Sequence, residues 1–324
     1  MNILAYFCAL FKGVIYGSTV FFTGKLTEST DILDILALRF LLSFAVMWLL
    51  KVTRILKIRV SAADLLKKTP DSPNVKYLIL TALFEPVLYM FFETVGISET
   101  TGITTAVILA LSPILSIIFE IIFLKESSTI LQRVFLGCGI FGVIYIALNT
   151  STSDGQNSVL GIVCLLAAIL SGVFFTVYSR KSSKNYTSLE RTYVSAMLGT
   201  VAFNSVNIVR HIFKGDILHY FDPYFSLDNI IGFAFLGIAS TLIATVMNNY
   251  ALSKLQVSTV SAFGGVSTVV TVLIGVIFNN EVVEYFHLIG FAFILVRIVG
   301  VSAIAIMRDK KKAKEAANNC IKTE

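Results

Sequence analysis

Six charged residues stand well within long apolar runs of this 324-residue chain, away from their ends: Lys12, Arg39, Glu85, Glu93, Glu120 and Arg297. At the centre of a membrane helix each costs about 2.5–3.5 kcal/mol, so six facing lipid would cost about 15–20 kcal/mol. They must face protein or a water-filled cavity instead. Glu85, Tyr89 and Glu93 recur at four-residue spacing, which places them on one stripe of a helix. Lys12 and Tyr16 form a comparable pair, and Glu120, Asn248 and Asn249 complete the expected polar lining of a cavity. Such a lining can hold a solute with ammonium or other polar groups, the tyrosines adding apolar area and cation–π contact. Carboxylates there could also carry a proton or do acid–base work. The competing readings are static neutralisation of three positive by three negative charges, and tyrosines that merely pack.

Other chemistries find no support. No GxxxxGK[ST] loop is present, which argues against ATP-driven pumping within the chain. His211, His219 and His287 stand apart, without HExxH or a Cys/His cluster, and no serine sits in a GxSxG elbow. Cys8, Cys138, Cys164 and Cys320 show no paired spacing, so neither a disulfide framework nor a metal site is expected. No catalytic residue and no cofactor is assigned; a proton or ion as coupling partner stays open.

The elements that must position these residues are membrane helices. The chain is 56% hydrophobic and only 14% charged, against about a quarter charged in soluble proteins. Apolar runs of spanning length occur at Asn2–Phe22, Ile32–Leu50, Val75–Ile97, Thr101–Leu124, Ile130–Leu148, Val159–Tyr178, Thr192–Phe213, Ile230–Leu252, Val257–Phe278 and Phe286–Met307. The seventh is the weakest, diluted by Asn204, Ser205 and Asn207. Strands alternating in short segments are absent, which leaves helices as the spanning form. The first run begins without a basic region and contains Lys12, the pattern of a retained span and not of a cleaved signal peptide.

Basic residues then orient the chain. With the N-terminus inside, the inner loops and the C-terminal tail hold twenty of the 26 lysines and arginines. Lys25, Arg210 and Lys214 fall on the outer side, among acids such as Asp216, Asp222 and Asp228. That asymmetry predicts both termini in the cytoplasm of a multi-pass plasma-membrane protein. The net charge of +6 therefore reflects cytoplasmic loops and not nucleic-acid binding. The run Arg308 to Lys314 reads as a topogenic tail that touches anionic lipid.

A shift of 155 residues lays the first half on the second without a gap from Gly17 to Glu126. Gly17 meets Gly172, Ser98 meets Ser253, Thr104 meets Thr259, and Ser116 to Glu126 meets Thr271 to Glu281. Glu85, Tyr89 and Glu93 meet Ser240, Ala244 and Asn248. Each unit holds five runs, an odd number, so the second must cross the membrane in the opposite sense. Inverted repeats of this kind characterise secondary transporters, with the solute near the midplane between the halves.

This pattern resembles the drug/metabolite transporter superfamily and, within it, the EamA-type ten-helix family. The resemblance rests on the stretch Tyr16 to Lys25, Leu38-Arg39-Phe40-Leu41, Pro113 and Glu126, repeated in Gly172 to Arg180, Tyr250-Ala251-Leu252, Glu281 and Gly290. Thr268, where the second repeat usually has proline, and Glu120, whose mate is Gly275, depart from it. The resemblance implies an all-α membrane fold: one five-helix repeat over 1–150, an inverted second over 156–307, and a basic tail over 308–324. It implies alternating-access movement of a small organic solute, by efflux, from a family whose substrates include amino acids, sugars, nucleotide-linked metabolites and drugs. Glu126 and Glu281 open the helices after them, where a carboxylate complements the helix dipole, and are read as structural. The expected partners are a small solute and membrane lipid. A membrane enzyme using Glu85 and Glu93, or a non-transporting scaffold, are the alternatives; the repeat weighs against the first and the buried charges against the second.

Overall fold

A computed structural model describes residues 3–60, 75–100, 129–149, 158–279 and 285–321, with scattered positions between 105 and 123. Every regular element among the described residues is helical. In chain order these are α1 (Ile3–Thr27), α2 (Ile32–Val52), α3 (Val75–Ser98), α4 (Ile130–Asn149) and α5 (Val159–Ser182). There follow α6 (Ser188–Lys214), α7 (residues 227–254), α8 (Val257–Ala262), α9 (Gly264–Asn279) and α10 (Tyr285–Ile321). Of these, α1, α2, α3, α5, α6 and α7 are long and apolar enough to cross a membrane. Three shorter apolar stretches lie at Ile130–Gly142, Thr259–Gly275 and Leu288–Val301. The fourth apolar run falls mostly outside the described residues, and Glu120, Pro113, Glu126 and Glu281 with it.

Several boundaries differ from the hydropathy reading, the ninth run being broken at Phe263, and those of the seventh and tenth runs have local reasons. The seventh run begins at Ser188 instead of Thr192, because Thr187 and Glu190 form a reciprocal capping box. Gly215, at φ 75°, ends the same helix in the left-handed conformation that glycine adopts without strain. The tenth run continues past Met307 to Ile321. Its lysines, alanines and glutamate are good helix formers, and no glycine or proline interrupts them.

The polar residues that dilute the seventh run are spent on α2 and the outer turns. Asn204 Nδ2 donates to the Ala37 carbonyl at 3.0 Å, and its Oδ1 accepts from Tyr220 at 2.6 Å. Asp34 accepts from Asn207, Arg210 and His211 at 2.8, 2.6 and 2.9 Å. His211 is thus part of an outer network, although the sequence shows it alone. Burial raises the Tyr220 and Tyr224 hydroxyls above the ordinary phenol value in this cap.

The exterior is apolar, and charged side chains are buried within an otherwise apolar interior. Phe7, Phe11, Trp48, Leu160, Val163, Val209, Leu295 and Val299 are exposed. Arg39, Arg191 and Arg297 are among the largest fully buried side chains. The helices pair as α1 with α7 and α9, α3 with α5 and α6, α2 with α6 and α7, and α4 with α10. Ile108, near Leu109, Leu111, Leu115 and Phe119 of the fourth run, joins Leu165, Ile169 and Val173 of α5 in one apolar cluster.

The α1–α9 crossing is a close joint. Gly13 and Gly17 are four apart, the spacing that lets membrane helices approach closely. A Cβ on Gly17 would fall 2.7 Å from the Val270 Cβ, and the Gly17 carbonyl accepts from Thr271 at 2.9 Å. Gly17→Val should therefore lower the melting temperature sharply, by the roughly 1–3 kcal/mol of an overpacked contact or more. Gly24→Ala in the same helix meets nothing within 4 Å and should be neutral or stabilising. Equal melting temperatures for the two variants in detergent would contradict this packing.

Candidate functional site

Two helices lose α geometry where the polar stripe runs. α3 is kinked within Leu83–Leu88, and α7 is π-wound over Phe235–Ala244. Pro86 accounts for the first: it has no N–H to donate, and its ring excludes the preceding residue from the α region. Glu85 accordingly sits at φ −141°, ψ 112°. The second segment contains no proline, yet residues 83–88 shifted by 155 fall inside it. Interrupted helices at matching positions of two halves are a physical pointer to a binding site, since they bring irregular backbone and side chains to a cavity.

That cavity is present, with a volume of about 220 Å³. Its wall takes Lys12, Tyr16 and Thr19 from α1, Glu85, Tyr89 and Glu93 from α3, and Gly172 and Phe175 from α5. Ser240 and Asn248 of α7, Ser261 of α8, Ser267 of α9 and Arg297 of α10 close the other side. Thr105, Leu109 and Ser112 of the fourth run also line it. Four-residue spacing on α3 brings Tyr89 and Glu93 to one wall, and Glu85, at the kink, lines it beside them. Of their repeat mates, Ser240 and Asn248 are on the wall as well.

The bonding within the site bears on static neutralisation. Lys12 Nζ donates to Asn248 Oδ1 at 2.5 Å, and Tyr89 donates to Glu93 Oε1 at 2.7 Å. Arg39 lies behind the wall, donating to Thr241 at 3.1 Å and Ser240 at 3.4 Å. Among the described residues, neither Lys12 nor Arg39 forms an ion pair with Glu85 or Glu93. Lys12 and Arg39 act on Glu85 only at longer range. The Glu85 carboxylate therefore faces the cavity with no hydrogen-bond partner among the described residues. Such a group is available to a solute cation or a proton. Among the described residues, no three His, Cys, Asp or Glu side chains are placed to hold a metal ion.

Comparison with known families matches the EamA-like transporter family twice, over residues 3–148 and 159–303. The chain belongs to that family. It is similar to the uncharacterized transporter YcxC of Bacillus subtilis, 28% identical over 91% of this chain and 92% of the relative. An uncharacterized transporter of Archaeoglobus fulgidus is 25% identical over 66% of this chain and 71% of its own. A WAT1-related chloroplastic protein of Arabidopsis thaliana is 23% identical over 71% and 55%. One solved crystal structure superposes with a TM-score of 0.70 at 17% identity, covering 95% of this chain and 99% of that one; it shows a shared fold. Membrane-spanning helices and transporter relatives together make this EamA protein an integral membrane protein with a transport role.

One expected wall residue is misplaced by the sequence reading. Asn249 lies one position after Asn248, about 100° further round the helix, and points away from the cavity. It is fully buried, accepting from Ser179 at 2.8 Å and donating to Thr192 at 3.1 Å. Arg191, which the sequence placed in an inner loop, joins it: Nη2 donates to the Asn249 carbonyl at 2.6 Å and Nη1 to the Ser179 carbonyl at 2.9 Å. No periodic signal announces this knot, because its members come from three helices. Asn249→Ala should cost about 1–3 kcal/mol by leaving buried groups unpaired. Its melting temperature should fall while activity per folded molecule holds; loss of activity at unchanged stability would restore Asn249 to the site.

Proposed function

We propose that this EamA protein is a secondary transporter that moves a small polar organic solute outward across the plasma membrane by alternating access. Its halves, residues 1–150 and 156–307, act as inverted five-helix repeats, with both termini and the 308–324 tail cytoplasmic. The carrying observation is a cavity lined by both apolar and charged side chains, bounded by two helices that lose α geometry at matching positions, with the Glu85 carboxylate facing it unbonded among the described residues. The pairing of helices supports the repeat. Exchanging halves turns the α1–α7 contact into α5–α3, and the α2–α7 contact into α6–α3, all four of which occur.

In this reading Glu85 and Glu93 receive the cationic part of the solute or a coupling proton, and Lys12 is held by Asn248 as a fixed positive counterweight. Tyr16 and Tyr89 supply aromatic surface to the solute's stem. Purified protein should be stabilised by at least one solute from a panel of amino acids, nucleosides, sugars and organic cations, since only the folded state can bind. The stabilising solute should cross proteoliposomes faster than protein-free vesicles. Stabilisation without movement would contradict transport.

A further inference from the structure

Arg297 is the one charged wall residue that nothing yet explains. It lies within the Leu288–Val301 apolar stretch of α10, is 2% exposed, and lines the cavity. No described residue gives it a hydrogen bond or ion pair, and its Nε is a buried donor with no acceptor. An unpaired guanidinium at this depth is among the costliest groups a membrane protein can bury. The other three charged wall residues are placed differently. Lys12 is engaged by Asn248, Glu93 by Tyr89, and Glu85 is a carboxylate on α3.

The surrounding helices make room for this arginine. It lies between Gly139 of α4 and Gly265 of α9: a Cβ at Gly139 would fall 2.8 Å from Arg297 Nε. A Cβ at Gly265 would collide with its terminal nitrogen and lie 2.9 Å from Cζ. Side chains at either position would displace the guanidinium, so the two glycines leave the space that it occupies.

We propose that Arg297 is the docking cation for a carboxylate group on the transported solute. This rests on the transport reading above and assigns the acidic end of the substrate. A guanidinium presents a planar fork of donors that matches a carboxylate with two parallel bonds. A doubly charged phosphate fits less well: one arginine is free to meet it, and Glu85 and Glu93 on the same wall oppose a second negative charge. Lys12 and Arg297 are basic and Glu85 and Glu93 acidic, so the wall carries two groups of each kind, which suits a solute that brings both an acidic and a basic group.

The test is a thermal-shift panel on the purified full chain, using L-leucine, L-phenylalanine, L-lysine and 4-aminobutyrate, each beside its carboxamide, with nucleosides, sugars and organic cations as controls. At least one acid should raise Tm by on the order of 5 °C at about 100-fold excess over its Kd, and its amide should not. Arg297→Gln should weaken that acid about 10- to 100-fold. Without ligand the same variant should melt at or above the wild-type temperature, because an uncompensated charge has been removed; a structural arginine would melt lower. Gly265→Ala, which leaves Arg297 in place but displaces its guanidinium, should abolish the preference for acid over amide. Equal stabilisation by acid and amide, stabilisation by controls alone, or full acid binding in Arg297→Gln would overturn the proposal. If no solute of any class shifts Tm, the transport reading fails and this assignment with it.

Discussion

Glu85→Gln is expected to fold normally and to lose nearly all transport. The substitution keeps volume and removes charge. Were Glu85 the counterion of Lys12, breaking a buried pair would cost about 3–5 kcal/mol and the protein would melt early. Lys12 instead donates to Asn248, and no ion pair holds Glu85 among the described residues. Stability should therefore change by no more than about 0.5–1 kcal/mol. Transport should fall by roughly two orders of magnitude, the worth of a charge-assisted contact of about 2–3 kcal/mol. The Lys12→Met, Glu85→Gln double variant separates the readings further. Static neutralisation predicts that it recovers activity, because two opposite charges leave together. A solute- or proton-binding role for Glu85 predicts a folded protein that transports nothing.

A second all-or-none result is expected from sidedness. Cysteines replacing Lys57, after α2, and Asp222, between α6 and α7, should react with an impermeant thiol reagent from opposite faces of intact cells. The native cysteines are first removed, since Cys8, Cys138 and Cys164 are free thiols. Labelling of both sites from one face would undo the charge-derived topology. The inverted repeat would fall too, because it requires five crossings per half.

The helices and one wall of the site were legible because their signals are periodic. Apolar length marks a span whatever its neighbours, and four-residue spacing aligns Tyr89 and Glu93 before any partner is known. Pro86 likewise announces a break in α3 from the chemistry of its own ring. The remainder depends on partners far along the chain. Whether Asn248 or Asn249 faces the cavity turns on a single step of helix rotation, which an apolar run with polar residues on several sides leaves undetermined. The π-wound segment of α7 carries no proline, so only its match to α3 could have flagged it. Arg297 was visible as a buried charge, but its place on the wall depends on Gly139 and Gly265 standing opposite. Arg191 was counted with the inner loop because the capping box at Thr187 extends α6 back over it.

The most direct test of the account asks whether one cavity is reached from both sides. Tyr16 is half-buried on its wall, so a cysteine-free Tyr16→Cys variant can be reconstituted in proteoliposomes and exposed to an impermeant thiol reagent from either face. Alternating access predicts reaction from outside and from inside, each slowed by a solute that stabilises the protein in detergent. Reaction from one face alone, or from neither, would contradict it.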